Sequence, residues 1–322
     1  MIILSIIIAI AFFIHLSVSL MAKRIQQTPE PYGYETFSQE PQGESVFIKR
    51  EDGTQIYAKV AGSGSKTAVL AHGYGVSVVL WNTLSDMLLE EGYRVIAFNL
   101  RGHSQSTIGK DGIGSRQMAE DYKAVLDYFD VKNGVLVGHS TGGFLSGVFA
   151  LNHPETANAR LSGIVFAGAT MGNILEGSLQ NRLQIPMIRS GFGAWVSRTA
   201  PYSWLFGASL FGDVAYPSAV RVFNEIFATQ PHKKLAPIMR ALAEEDYYPR
   251  LHEIQIPSVV VCGRKDRSTP PWHSVEIGKR IPNARNVWLD GIGHAVNWEA
   301  PQVILESIES LITEDEKIAA FA

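Results

Sequence analysis

Ser140 sits in the run Gly138-His139-Ser140-Thr141-Gly142, directly after the apolar residues Val135-Leu136-Val137. A buried strand that turns sharply into a helix leaves such a serine at the tip with its hydroxyl exposed, and the flanking glycines avoid collisions as the turn closes. The helical stretch 144–151 supplies the second half of that pattern. A serine hydroxyl is a weak nucleophile near neutral pH, so its chemistry needs an imidazole to take the proton and a carboxylate to hold that imidazole. Both follow, in the order acid and then histidine. Asp266 ends Gly263-Arg264-Lys265-Asp266 after the apolar run 258–262, and His294 ends Gly291-Ile292-Gly293-His294 after the run 286–289. Loops at the carboxyl ends of parallel strands share one edge, where Ser140, Asp266 and His294 converge although they are far apart in sequence. An anionic tetrahedral intermediate also needs donors. The Thr141 N–H, next to the nucleophile, is one, and the Tyr74 N–H in His72-Gly73-Tyr74-Gly75, after the run 67–71, is the expected second.

The elements that position these groups alternate strand and helix as in a doubly wound, mostly parallel sheet. Runs 45–49 and 55–59 flank Asp52-Gly53 and read as an opening hairpin. Then follow a strand 67–71, a helix 80–91, a strand 94–100, a helix 116–129, the strand and helix around Ser140, and a strand 163–167. After a long insertion come the strand 258–262, a helix from 274, the strand 286–289 and a final helix from 302.

With these pieces in place the chain resembles the α/β-hydrolases, of the broad esterase, haloperoxidase-like and monoglyceride-lipase-like kind, over residues 44–312. The matching pieces are His72-Gly73-Tyr74-Gly75, Gly92-Tyr93-Arg94-Val95-Ile96-Ala97, Leu100-Arg101-Gly102-His103-Ser104, the turn at Ser140, Asp266 and Gly293-His294. Asn99 departs from the Asp that many relatives carry before Arg-Gly, at a position that is structural in such proteins. Tyr74-Gly75 stands where lipases resembling hormone-sensitive lipase have Gly-Gly, which argues against that branch. Ser140 argues against the haloalkane dehalogenase and epoxide hydrolase branches, which use Asp there. The resemblance implies a core at 44–170 and 251–314, interrupted by a helical cap at 171–250 that roofs the site and excludes water.

The insertion carries Phe192, Trp195, Tyr202, Trp204, Phe206, Phe211, Tyr216, Phe223 and Phe227, a group expected to line an apolar pocket while many of its members simply pack the cap. His139, His72 and His103 read as structural, with His72 ordering the loop that carries Tyr74. No histidine and carboxylate set has zinc-site spacing and no GxGxxG follows a strand, so neither a metal nor a nucleotide cofactor is expected. The formal net charge of −3 and the lack of a basic stripe leave no case for nucleic acid. Cys262, the single cysteine, reads as a small core hydrophobe.

Residues 1–22 carry no charged side chain, and 2–20 is long enough to span a hydrocarbon core of ~30 Å as a helix. Lys23-Arg24 follow the apolar run instead of preceding it, which favours an uncleaved membrane anchor with the catalytic domain on the cytoplasmic side; Ser17-Val18-Ser19 keeps a cleaved secretory signal as the alternative. Residues 23–43, rich in Pro, Gln and Glu, read as a linker. The expected function is a serine hydrolase acting on a small, apolar carboxylic ester through an acyl-enzyme. Thioester, lactone, amide or carbon-carbon bond hydrolysis and perhydrolysis are the alternatives within the fold, and a catalytically idle, membrane-tethered binding module is the alternative outside it.

Overall fold

The mostly apolar runs of the sequence become the strands of one sheet, whose central members bury their side chains on both faces. In the computed structural model, which describes residues 2–321 and the side-chain surroundings of 3–312, eight strands form a single sheet. Met1 at the head of the apolar segment, and the side chains of 313 and 314 at the expected end of the core, lie outside the described residues. The strands are β1 Glu44–Lys49, β2 Gln55–Ala61, β3 Thr67–Ala71, β4 Arg94–Phe98, β5 Gly134–His139, β6 Leu161–Ala167, β7 Ser258–Gly263 and β8 Ala284–Leu289. Their order is β1-β2-β4-β3-β5-β6-β7-β8; β2 runs antiparallel to both of its neighbours, β1 and β4, and the remaining pairs are parallel. Every residue of β3, β5, β6 and β7 is buried, as strands covered by helices on both faces require.

The chain leaves β3 toward β4 on one side and then crosses back to β5 on the other. The boundary between β3 and β5, paired Ala71 to Gly138, is therefore the point where the winding reverses and a crevice opens at the carboxyl edge. The doubly wound, mostly parallel arrangement expected from the sequence is the one observed. Three short helices were not legible: Pro154–Arg160, a connector into β6; Tyr34–Ser38, which buries Phe37 against the core; and Val296–Glu299, just after His294. The helix expected over 80–91 divides into a 3₁₀ turn, Val78–Trp81, and the helix Asn82–Glu90.

Five helices, Leu179–Ser190, Phe192–Val196, Tyr202–Ala208, Pro217–Thr229 and His232–Glu244, lie between β6 and β7 and cover the carboxyl edge of the sheet. Pro217 opens its helix, where a missing N–H costs nothing. The segment preceding β1 is held against this layer. Glu30 accepts from both the Ser218 N–H (3.0 Å) and the Ser218 hydroxyl (2.6 Å), which places a carboxylate at the positive end of that helix. The N-terminal helix Ile2–Gln26 packs along Tyr202–Ala208 through its last turns, while the residues from 3 to 17 are exposed. Residues Ile3–Gln26 are long and apolar enough to cross a membrane by length and composition.

Candidate active site

Strand β5 ends and its helix, Thr141–Asn152, begins with Ser140 between them at φ 54°, ψ −118°. A left-handed φ is costly for a residue with a side chain, and the surrounding backbone holds it. The Ser140 N–H donates to Ala167 O (2.9 Å) and its carbonyl accepts from the Phe144 N–H (3.0 Å). The glycines of the motif are obligatory at this packing, since a Cβ on Gly142 would stand 2.2 Å from Ala71 O and one on Gly138 2.5 Å from Ser146 Oγ. Thr141 is the first residue of the helix, so its N–H has no intrahelical acceptor and faces the crevice edge.

Asp266 and His294 come from the loops after β7 and β8. Asp266 is buried, and its Oδ1 accepts from the N–H groups of Ser268 and Thr269, both at 2.8 Å. Its other oxygen lies 2.8 Å from His294 Nδ1 and 2.8 Å from the Thr269 hydroxyl. Four neighbours thus fix one carboxylate, and the imidazole it faces is directed with its Nε2 away from the acid. The place after β6, where another carboxylate could reach His294, is closed: Gly168 has φ +52°, and a Cβ there would lie 3.2 Å from Asp266 Oδ2.

His139, His72 and His103 are held as neutral, buried groups. His139 Nε2–H donates to the carbonyl of His294 (2.8 Å), which braces the loop from beneath, and burial, with His294 nearby, pushes its pKa down to about 3. His72 accepts from the Leu100 N–H at Nε2 (3.0 Å) and donates from Nδ1 to Gly73 O (2.7 Å), so it ties the loop bearing Tyr74 to the end of β4. Burial holds His72 well below its ordinary pKa and takes His103 down to about 4. Asn99 accepts from the Val78 N–H (2.8 Å) and donates to Gln105 (2.6 Å), a structural task that its amide performs without a charge.

A cleft opens between the sheet edge and the helical layer. Ser140, Thr141, Tyr74 and His294 line it, and Asp266 stands behind His294. Of the aromatics read from the insertion, Phe206, Phe223 and Phe227 line the cleft; Phe192 and Trp195 are exposed instead. The sequence reading missed the polar wall formed by Asn181, Gln184, Ser268 and Asn297, and it missed Trp298. It also missed Glu299, whose carboxylate accepts from the N–H groups of Gly293 (3.0 Å) and Gly212 (2.8 Å). Burial raises the Glu299 pKa to about 7. Its only signal in sequence is an acidic residue shortly after Gly293-His294, ahead of Ala300-Pro301.

The insertion is built into the site. The His294 N–H donates to Leu210 O (2.6 Å), Asn181 Nδ2 donates to Ser268 O in the Asp266 loop (2.7 Å), and the Tyr74 hydroxyl meets His232 Nδ1 at 3.1 Å. No group of three or more His, Cys, Asp or Glu side chains placed to hold a metal occurs among the described residues.

Residues 68–307 match the model of the alpha/beta hydrolase family. A 2-hydroxy-6-oxononadienedioate/2-hydroxy-6-oxononatrienedioate hydrolase from Paraburkholderia xenovorans (strain LB400) is 29% identical over 274 residues, covering 79% of this chain and 89% of its own. Among solved structures, an esterase from Exiguobacterium antarcticum superposes with a TM-score of 0.72 at 23% identity, covering 84% of this chain and 100% of its own. An enol-lactonase from Burkholderia xenovorans LB400 gives 0.66 at 20% identity, covering 81% and 97%. These two likenesses concern the fold. With its sheet order, its sharp strand-to-helix turn and a family match over most of its length, the chain belongs to the alpha/beta hydrolase family and is a hydrolase.

Proposed function

We propose that the protein cleaves a carboxylic ester with an apolar acyl or alcohol part through an acyl-enzyme intermediate. Ser140 is the nucleophile, His294 the general base and then acid, Asp266 the carboxylate that holds and stabilises the imidazolium, and the Tyr74 and Thr141 N–H groups the oxyanion donors. In the first half-reaction the Ser140 oxygen bonds to the ester carbonyl carbon as His294 takes its proton. The tetrahedral intermediate then collapses, and the same proton leaves on the alcohol. Water repeats the sequence on the acyl-serine and releases the acid.

The observation that carries the substrate class is the wall of the cleft. It holds Ser140 and His294 among Val76, Leu80, Ile174, Ile185, Ile188, Phe206, Phe223 and Phe227, with no Lys, Arg, Asp or Glu. The name of the Paraburkholderia relative states a dioate substrate, which carries two carboxylates. A wall whose polar groups include the neutral Asn181, Gln184, Ser268 and Asn297 offers two carboxylates no cation among the described residues, and desolvating them there is costly. A panel of p-nitrophenyl esters of increasing acyl length, run beside a 2-hydroxy-6-oxo-dienedioate, tests this. The expected result is ester turnover that rises with chain length and none of the dioate; the reverse order contradicts it.

We also infer that the N-terminal helix is an uncleaved anchor with the catalytic domain on the cytoplasmic side. The support is the charge-free run ahead of Lys23-Arg24 and the exposure of Ile3, Ile7, Phe12 and Phe13, which find no cover within the chain. Recovery in the membrane fraction with Met1 intact is the expected result, and a soluble protein beginning near Leu20 contradicts it.

A further inference from the structure

The helix Leu179–Ser190 has two apolar faces. Asn181, Ile185 and Ile188 turn inward and line the cleft. On the opposite face Leu179 and Leu183 are 73% and 63% exposed, and the next helix adds Phe192 and Trp195 at 49% and 53%. The rings of Phe192 and Trp195 stack with centroids 5.1 Å apart, so they present one flat surface. Two helices that serve only as a lid have no need of leucines and an indole on their solvent side. Residues 177–212 contain Arg182, Arg189 and Arg198 and no Asp or Glu, so the charged side chains within this stretch are cationic, with the exposed Glu176 just ahead of it.

The face is continuous with the N-terminal helix. Phe192–Val196 packs on Tyr202–Ala208, and Tyr202–Ala208 packs on Ile2–Gln26. The Tyr202 hydroxyl meets His15 Nδ1 at 3.2 Å. His15 precedes Ala22, the last uncharged residue before Lys23-Arg24, by roughly two helical turns, or about 10 Å along the axis at 1.5 Å per residue. With Lys23 and Arg24 at the surface, Tyr202 lies about 10 Å below their level, at the depth where interfacial helices bury their apolar faces.

We propose that this face of the cap docks on the anionic surface of the bilayer that holds the protein's own N-terminal helix, leaving Leu179–Ser190 as the single layer of protein between lipid and the cleft. The proposal rests on the anchor reading and not on the ester reading. Leucine and aromatic side chains enter the acyl boundary, and the arginines meet lipid phosphates, the pairing expected of a monotopic surface. An apolar substrate dissolved in the same leaflet then reaches the cleft without crossing water.

The test uses the full chain in vesicles of phosphatidylcholine and phosphatidylglycerol. Leu183→Cys and Trp195→Cys each accept an environment-sensitive fluorophore, because the native Cys262 is fully buried; Tyr128→Cys, at an exposed position on the core helix Ser115–Tyr128, is the control. Spin labels carried near the lipid glycerol backbone should quench the probes at 183 and 195 at least fivefold more than the probe at 128. Equal quenching at all three sites overturns the proposal. So does shielding of 183 and 195 by a second copy of the chain, detected as a cross-link between two labelled molecules. This readout needs no substrate, so it stands or falls separately from the ester assignment. In a second arm, Leu183→Glu with Trp195→Glu should lower hydrolysis of a long-chain ester presented in the vesicles about tenfold and leave a short soluble ester unchanged. Equal rates for variant and parent on the vesicle-borne ester contradict the proposal.

Discussion

The loops at the sheet edge and the helices that cover them contribute to the same cleft by different physical routes. Asp266 is fixed by two backbone N–H groups, a hydroxyl and an imidazole, all on short loops that leave buried strands. The cap contributes mostly apolar side chains whose facing depends on how its helices lie over the edge. Under the proposed mechanism, edge groups act through direction and charge, and the helices over them through shape. Substitutions on the two sides should differ both in magnitude and in which kinetic parameter moves.

The largest loss belongs to the edge. Ser140→Ala should lower kcat by a factor on the order of 10⁶ with the fold intact, as for serine hydrolases stripped of a triad member. Circular dichroism beside steady-state rates checks it, and turnover near the parent value removes Ser140 from the nucleophile role. Next, Asp266→Asn should cost roughly 10⁴ by leaving the imidazole in the wrong tautomer. Asp290→Asn should cost little, because Asp290 is exposed and pairs only with Arg264 among the described residues. An inverted result moves the acid from the first loop to the second.

Cap substitutions should sharpen the contrast. Phe206 lines the cleft and packs on Phe227 with ring centroids 5.1 Å apart. Phe206→Ala should lower kcat/KM for long acyl chains about tenfold and for acetate esters less than twofold, the scale of lost apolar contact in a pocket. A uniform loss across chain lengths places Phe206 among the groups that position the catalytic loops.

Glu299 joins the two regions by accepting from Gly212 of the cap and Gly293 of the histidine loop, and its effect should be the smallest. Its folded pKa, raised to about 7 by burial, exceeds that of an unfolded glutamate, about 4.5. The unfolded chain therefore releases the proton first, so this group's contribution favours folding below pH 4.5 and is lost as pH rises toward 7. Beside the burial, the nearby Asp266 carboxylate raises the Glu299 pKa, while the N–H groups of Gly212 and Gly293 and the nearby His294 lower it. Glu299→Gln should flatten the decline of stability between pH 4.5 and 7 in denaturant titrations; an unchanged slope contradicts the assignment.

Legibility in the sequence follows the same division. The edge was readable because each motif has a local steric or chemical cause: a glycine where Gly142 meets Ala71 O, a carboxylate after an apolar strand, a histidine after the next. The cap was readable as a region but not by residue. Phe192 and Phe206 look alike in sequence, yet one is exposed and the other faces the cleft, because helix rotation in the layer decides and no local pattern encodes it. Asn181 and Glu299 were invisible for a related reason. Their partners, Ser268 O and Gly212 N, are distant in sequence. The N-terminal helix was legible as apolar and long, whereas its packing on Tyr202–Ala208 was not.

The central claim is that Ser140 is the nucleophile and that the Asp266–His294 pair activates it. Labelling with a fluorophosphonate, followed by peptide mass mapping, tests it most directly. A single adduct on Ser140 is expected, absent in Ser140→Ala and formed orders of magnitude more slowly in Asp266→Asn. An adduct on another residue, or labelling of Asp266→Asn at the parent rate, contradicts it.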